Sequence, residues 1–489
     1  MKTILTLLFS CLFIIQTAFG QVVTMDEAGL ETLITHDSIQ ITTLREAVEN
    51  RVILYEYNPL ASQAAFWYVT VYRGNGDVIN LDITQACDYP TPSHSHYGET
   101  RQIMMEVGRL HPGDVIEYEI HEKRLHAPSQ AEYQSLSKAW TLHEDGSQEY
   151  RYTQELKIQK HSPLNNPYGE SHIIYNPDYQ EVKIHAAYTK RKNGKIIHVP
   201  ETSFVEILPA YASKAPAYNQ LRERIIQYSS MEDGATIYLD YSILTKPNYY
   251  PALDINESLQ AALPVKAYDI SITVPSDYPL SWQLLGNDNA PASEITADGK
   301  KIIHWSLPDT EGISQLVASS YGSTEEALRT LFQQFQESGH FESDTFGAYI
   351  TEDASTEEEK AAIILNHVVN NLDYCPIPPR DTGYAIRDVD LALRTAYGTL
   401  AEKTWLLCVL LNAADIAAEV VAVFPSHLNP EACGLSAIQD LLVKATIEGE
   451  ERYLSAIRLR PAQINDDTSD RVVSIGDVKK SQKIHDLRH

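Results

Sequence analysis

One stretch of this chain is written twice, and the repetition limits the fold more than any other feature. The first copy contains Asn75-Gly76-Asp77-Val78-Ile79, then Tyr97, Arg101, Ile103 and Gly113-Asp114-Val115-Ile116-Glu117-Tyr118. The second contains Asn193-Gly194-Lys195-Ile196-Ile197, then Tyr218, Arg222, Ile225 and Gly234-Ala235-Thr236-Ile237-Tyr238-Leu239. Tyr97 to Gly113 and Tyr218 to Gly234 are both intervals of 16 residues, so position matches as well as residue type. Each Asn-Gly reads as a two-residue hairpin turn, because both residues tolerate positive φ, and each later glycine opens an alternating strand. Two related β-sandwich units are expected.

Further strands are expected at 152–158, 182–184 and 268–274 and, past the Asp298-Gly299 turn, at 302–305; His143-Glu144-Asp145-Gly146 reads as another turn. Ahead of the repeat, residues 42–48 read as a short helical turn.

The start of the chain has one early cation, Lys2, an apolar run from Ile4 to Ile15 and the small-residue ending Ala18-Phe19-Gly20. This is the pattern of a cleaved export signal, shorter than a membrane span, with Gln21 as the expected first mature residue. Cys11 raises lipidation as a less favoured alternative, since apolar residues continue past it. Removing Lys2 from 39 basic residues leaves 38 against 66 acidic ones, a formal charge of −28. That balance argues against nucleic acid and anionic lipid as partners. It does not imply disorder, because 43% of the chain is hydrophobic. Cys87, Cys375, Cys408 and Cys433 are too scattered to form a disulfide framework or a metal-ligand pattern.

Helical signals begin at Ser323-Thr324-Glu325-Glu326, a capping sequence followed by Leu328, Leu331, Phe332 and Phe335 on one face, with Gly339 as the expected stop. Ser355-Thr356-Glu357-Glu358 opens another helix carrying Ile364, Leu365, Val368, Val369 and Leu372. A third begins at Thr399, with Glu402 three residues on, and continues through Leu407, Val409, Leu410 and Leu411.

The stretch Tyr397-Gly398-Thr399-Leu400-Ala401-Glu402-Lys403 resembles a motif of secreted bacterial proteins that carry a transglutaminase-like domain behind a β-rich domain of unknown function. In that family the motif reads tyrosine-glycine-aspartate-cysteine-lysine-aspartate-lysine, and the cysteine at the helix start is the nucleophile. A thiolate suits that place, because unpaired amides and the helix dipole favour negative charge there. Here Leu400 occupies the cysteine position, and leucine can neither ionise nor form an acyl intermediate. The family's histidine falls at Asp440 in the expected strand 438–443, and its aspartate at Ser455 in the return strand 452–455. Asp415 stands where the family has glycine after the buried helix, and the chain ends about thirty residues past Ser455, where many relatives continue. The resemblance implies a papain-like α+β domain whose triad has become Leu400, Asp440 and Ser455.

Displaced chemistry has its own candidates. Cys375 lies beside a proline in a loop, and Cys433 follows a loop with His427. Cys408 reads as a core residue of the third helix, and His94 and His96 as loop residues rather than metal ligands. The expectation is therefore a multidomain chain: a signal at 1–20, β-sandwich units at 21–125 and 126–320, and a degenerate transglutaminase-like domain at 321–489. Its expected role is that of an exported, non-catalytic binding or scaffold protein for a protein or peptide, or a glycan, with no cofactor, no metal and no transmembrane span. The alternatives are a cysteine-dependent amidase, peptidase or transglutaminase acting through Cys375 or Cys433, and a structural component of the envelope.

Overall fold

Arg73 and Asp77 face each other across the first repeated turn, with the Arg73 N–H donating to the Asp77 carbonyl at 2.8 Å and the Gly76 N–H returning to the Arg73 carbonyl at 2.9 Å. This is a three-residue loop in which only the glycine, at φ +92°, enters the left-handed region. The two-residue turn expected from Asn-Gly is thereby corrected. Asn75 serves by its side chain, accepting the Asp77 N–H at 3.1 Å. The same construction recurs at Arg191–Lys195 with Gly194, and at His143–Ser147 with Gly146.

The computed structural model describes residues 21–25, 31–59, 62–90, 101–124, 131–160, 168–259, 263–286, 293–307, 315–461 and 471–475. The expected signal with Lys2 and Cys11 and the loop with His94, His96 and Tyr97 lie outside these residues. The described chain is mostly strand, gathered in several sheets, with helices concentrated towards its C-terminal part. It divides into two units, the first taking residues up to Cys87 with Gln102–Pro128, the second Asp88–Arg101 and Ser129 onward.

In the first unit, strands Glu31–Gln40, Val115–Arg124, Ser62–Tyr72 and Val78–Asn80 lie side by side in that order. In the second, Gln148–Ile158, Thr236–Thr245, Gln180–Lys190 and Ile196–His198 lie in the same order. Both copies carry a one-residue bulge at the same place, between Phe66 and Tyr68 and between Ile184 and Ala186. The numbering offset of 118 that relates Asn75 to Asn193 also relates the two bulges. The repeat is thus a duplication of topology. The first copy closes on its own core, including Ile41, Phe66, Val71, Met105 and Ile116, all under 5% exposed. The helix Leu44–Glu49, α1, is capped by Thr43 and adds Ala47 to that core.

The second sheet is extended by Ala131–Leu142, which pairs antiparallel with Gln148–Ile158 and parallel with Tyr268–Pro275. Lys300–Leu307 and Ser293–Ala297 follow after the left-handed Asp298-Gly299 turn. A smaller sheet of Asp254–Ser258, Gln315–Ser319 and Ser281–Leu285 is tied to the large one by a fully buried ion pair, Lys138 Nζ to Glu257 Oε1 at 2.5 Å.

The helices follow. Ser323 caps α2 (Thr324–Glu337), Thr356 caps α4 (Glu357–Asn370), and Asp388 caps α5 (Val389–Thr395). Helix α2 stops at Ser338, before the expected Gly339, whose N–H is taken by Asp388 Oδ2 at 2.8 Å. Between α2 and α4 lies α3 (Phe341–Ile350), which has no side-chain cap and no amphipathic stripe to announce it. It packs on α6 (Leu400–Ala413), where a Cβ on Gly347 would come within 2.9 Å of the Leu410 carbonyl oxygen. A C-terminal antiparallel sheet of Arg458–Pro461, Glu450–Ser455, Asp440–Ile447, Ala418–Phe424 and Arg471–Ser474 completes the described chain. One central strand begins at 440, two residues later than the expected 438, because Leu435–Ala437 turns first, and the other begins at 450, two residues earlier than the expected 452, because Glu448-Gly449 makes a tight left-handed hairpin.

Candidate functional site

Helix α6 begins from an anchored position. Tyr397 and Gly398 run parallel to Asp373 and Tyr374, and the Cys375 N–H donates to the Gly398 carbonyl at 2.9 Å. The capping box foreseen in the sequence forms: Thr399 Oγ1 accepts the Glu402 N–H at 3.4 Å, and Glu402 Oε2 accepts the Thr399 N–H at 2.9 Å.

Glu402 does more than cap. It is 1% exposed, receives both Nε and Nη2 of Arg387 and accepts the Tyr218 hydroxyl at 2.5 Å. Burial pushes its pKa up, but the Arg387 guanidinium and the Tyr218 hydroxyl outweigh burial and leave the carboxyl below its ordinary value. On the next residue, buried Lys403 donates to the Leu372 carbonyl at 2.7 Å. Thr404 donates to the Leu441 carbonyl at 3.3 Å, fastening the start of the second turn of α6 to the strand that starts at Asp440.

Leu400 is the first helical residue and is partly buried. Asp440 heads its strand, and Arg458 Nη2 donates to its carboxylate at 3.2 Å. Burial raises its pKa, against the opposing pull of Arg458. Ser455 ends the neighbouring strand, is 1% exposed and is paired with Arg458 across an irregularity in the ladder. The ladder between the two strands ends with Val443 opposite Leu454, three residues after Asp440 and one before Ser455. Among the described contacts Asp440 turns to Arg458, not to Ser455.

Two residues not singled out as site members in the sequence also belong here. Tyr374 has its hydroxyl pKa raised by burial first, then by the charges of Tyr89, Asp440 and Cys375. Arg387 lies in the stretch just before α5, and only its charge hinted at a role for it.

The thiols are set against reactivity. Burial pushes Cys375 and Cys408 up to about 12 and Cys433 up to about 11. Cys408 is the core residue expected. Cys433 is 0% exposed while His427 is exposed, and no described contact joins them. Among the described residues no group of three or more His, Cys, Asp or Glu could hold a metal ion. Nor is any described helix long and apolar enough to cross a membrane.

Over residues 27–142 and 144–313 the chain matches the family described as a domain of unknown function with a solved structure, DUF3857. It belongs to that family. A Parabacteroides distasonis protein provisionally named a protease is similar to it, its crystal structure matching at 50% identity and a TM-score of 0.68 over 71% of each chain. A Cytophaga hutchinsonii protein provisionally named a cysteine protease matches at 14% identity and a TM-score of 0.21, over 42% of this chain and 70% of its own. An M1 zinc metallopeptidase from Deinococcus radiodurans matches at 11% identity and 0.22, over 39% and 42%. No curated protein matches the DUF3857 protein.

Proposed function

We propose that this DUF3857 protein is an exported, non-catalytic binding or scaffold protein for a protein or peptide partner. In this reading two β-sandwich units, at 21–125 and 126–320, precede a transglutaminase-like, papain-like domain at 321–489. Leu400, Asp440 and Ser455 stand in it where a cysteine, a histidine and an aspartate would act. The observation that carries the reading is Leu400 itself, the first residue of a capped helix fastened through Thr404 to the strand of Asp440. That is where a nucleophile would meet its base, and an alkyl side chain offers no lone pair there. Asp415 adds support, since it holds φ +64°, a conformation suited to the glycine of the family pattern. The Parabacteroides relative is named a protease, but a thiol protease needs a thiolate, and the buried thiols here favour the protonated form.

The test is turnover by the purified protein of casein and of a glutamine peptide with a primary amine acceptor. No activity above that of a heat-denatured control is expected. Turnover that an alkylating reagent abolishes, and that Cys375→Ala or Cys433→Ala removes, would return the protein to the enzymes.

A further inference from the structure

The bulge in the first unit puts two aromatic residues outside its core. Phe66 and Val69 are 4% and 1% exposed, whereas Trp67 between them is 64% exposed and Tyr68 is partly exposed. A bulge is a common means of re-aiming a side chain, and here it turns an indole to the outside of the sheet. The Trp67 ring lies flat on the imidazole of His121, centroids 4.6 Å apart and planes 1° from parallel. One indole face is covered by protein, and the exposure leaves the other to solvent.

Carboxylates border this plane. Glu119 Oε1 lies 2.5 Å from His121 Nε2. Glu117, two residues before it on the same strand, is held by His36 Nε2 at 3.0 Å and by the Tyr68 hydroxyl at 3.2 Å. Tyr72, 40% exposed, also bonds to Glu117. At about 3.3 Å per residue, Tyr68 to Tyr72 spans about 13 Å, longer than one sugar ring.

A pyranose ring has an apolar C–H face and a rim of hydroxyls. A fixed aromatic plane bordered by carboxylates complements both, the plane by stacking and the carboxylates by accepting O–H hydrogen bonds. A cation can also sit over a single aromatic face, but a compact ammonium leaves most of a flat indole and the run of acceptors, about 13 Å long, unused, whereas a chain of sugar rings covers both. Glu117 and Glu119 would repel uronate or sulfate groups. The second copy lacks the platform: its bulge residue is His185, bonded to Ser242 at 2.8 Å, and Ser242 in turn donates to Glu149.

We propose that the outer face of the first unit binds a neutral pyranose polymer, with Trp67 as the stacking plane and Glu117 and Glu119 as hydroxyl acceptors. It uses no residue of the α6 site and stands apart from the question of catalysis there.

The experiment is titration of the full-length protein with cellohexaose, maltohexaose, mannohexaose and chitohexaose, followed by calorimetry and tryptophan fluorescence. Choline, hexalysine and polygalacturonate are run alongside. At least one neutral hexasaccharide is expected to bind and to perturb the fluorescence. Trp67→Ala should weaken it about tenfold or more, as loss of an aromatic contact does, with an unchanged thermal midpoint. Glu119→Gln should weaken it without touching the core. Failure of all four sugars to bind, equal binding by Trp67→Ala, or binding of the cations or the polyanion alone overturns the proposal.

Discussion

Arg387 holds Glu402 by both ends of its carboxylate, Nε to Oε1 at 3.0 Å and Nη2 to Oε2 at 2.9 Å, with 0% of the acid's side chain left to solvent. Removing one partner of such a pair strands the other charge without solvent. Glu402→Ala is expected to cost about 3–5 kcal/mol in urea unfolding. Arg387→Met combined with Glu402→Leu should recover part of that loss, since it leaves no unpaired charge. A single-substitution cost within experimental error of zero would show that the clasp is not what holds α6.

Gly347 offers a test of the α3–α6 contact. In a helix, alanine is intrinsically better than glycine by up to about 1 kcal/mol. A Cβ here would nevertheless meet the Leu410 carbonyl oxygen at 2.9 Å and the Ala413 Cβ at 3.0 Å. The clash should win, and Gly347→Ala should lower stability by about 1–3 kcal/mol. A stabilised variant would mean that the two helices can separate freely.

Asp381 is 8% exposed, accepts the Tyr211 hydroxyl at 2.5 Å, and has its pKa raised by burial from 3.8 to about 6. The folded chain therefore holds this proton more tightly than the unfolded chain. The contribution is fully present below pH 4 and is lost as pH rises through 6. Asp381→Asn keeps an acceptor for Tyr211 but cannot ionise. Relative to the parent, its stability should rise by about 2–3 kcal/mol between pH 4 and pH 7. A difference that stays flat across that range would show that the carboxyl is not charged at a cost.

Of the four cysteines after residue 21, Cys87 is partly exposed and the other three are buried. Thiol counting with an aromatic disulfide at pH 8 should label Cys87 first. Labelling of Cys375 should speed up by roughly a hundredfold or more when the protein is unfolded, as its thiol returns to an ordinary pKa. Fast labelling of native Cys375, mapped by mass spectrometry, would contradict its burial.

The repeated turns were legible because Gly76 and Gly194 meet a backbone requirement that few other residues meet, and α2, α4 and α6 were legible because Ser323, Thr356 and Thr399 act within three residues of themselves. The turn type was misread for the same local reason: Asn75 can take positive φ, yet its side chain found the Asp77 N–H instead. Helix α3 gave no signal, since its cap position is His340 and its key contact depends on Leu410, far along the chain. At the site, Thr399 and Glu402 were found from spacing, but Arg387 and Tyr218 were not. Their distance in sequence from Glu402, 15 and 184 residues, carries no periodicity to read.

Within the second unit, the strands before residue 320 and the helices after it share their buried polar groups. Tyr218 serves Glu402, Tyr211 serves Asp381, Tyr249 donates to the Asp381 carbonyl at 2.6 Å, and Asp254 receives the Ser436 N–H at 2.8 Å. A piece cut at 320 would inherit acids whose donors remain on the other piece, and donors with nothing to receive them. The helical part therefore does not behave as a cassette to be grafted onto another scaffold. Sheets and helices of this unit must therefore be inherited together, because each supplies the polar partners that the other has buried.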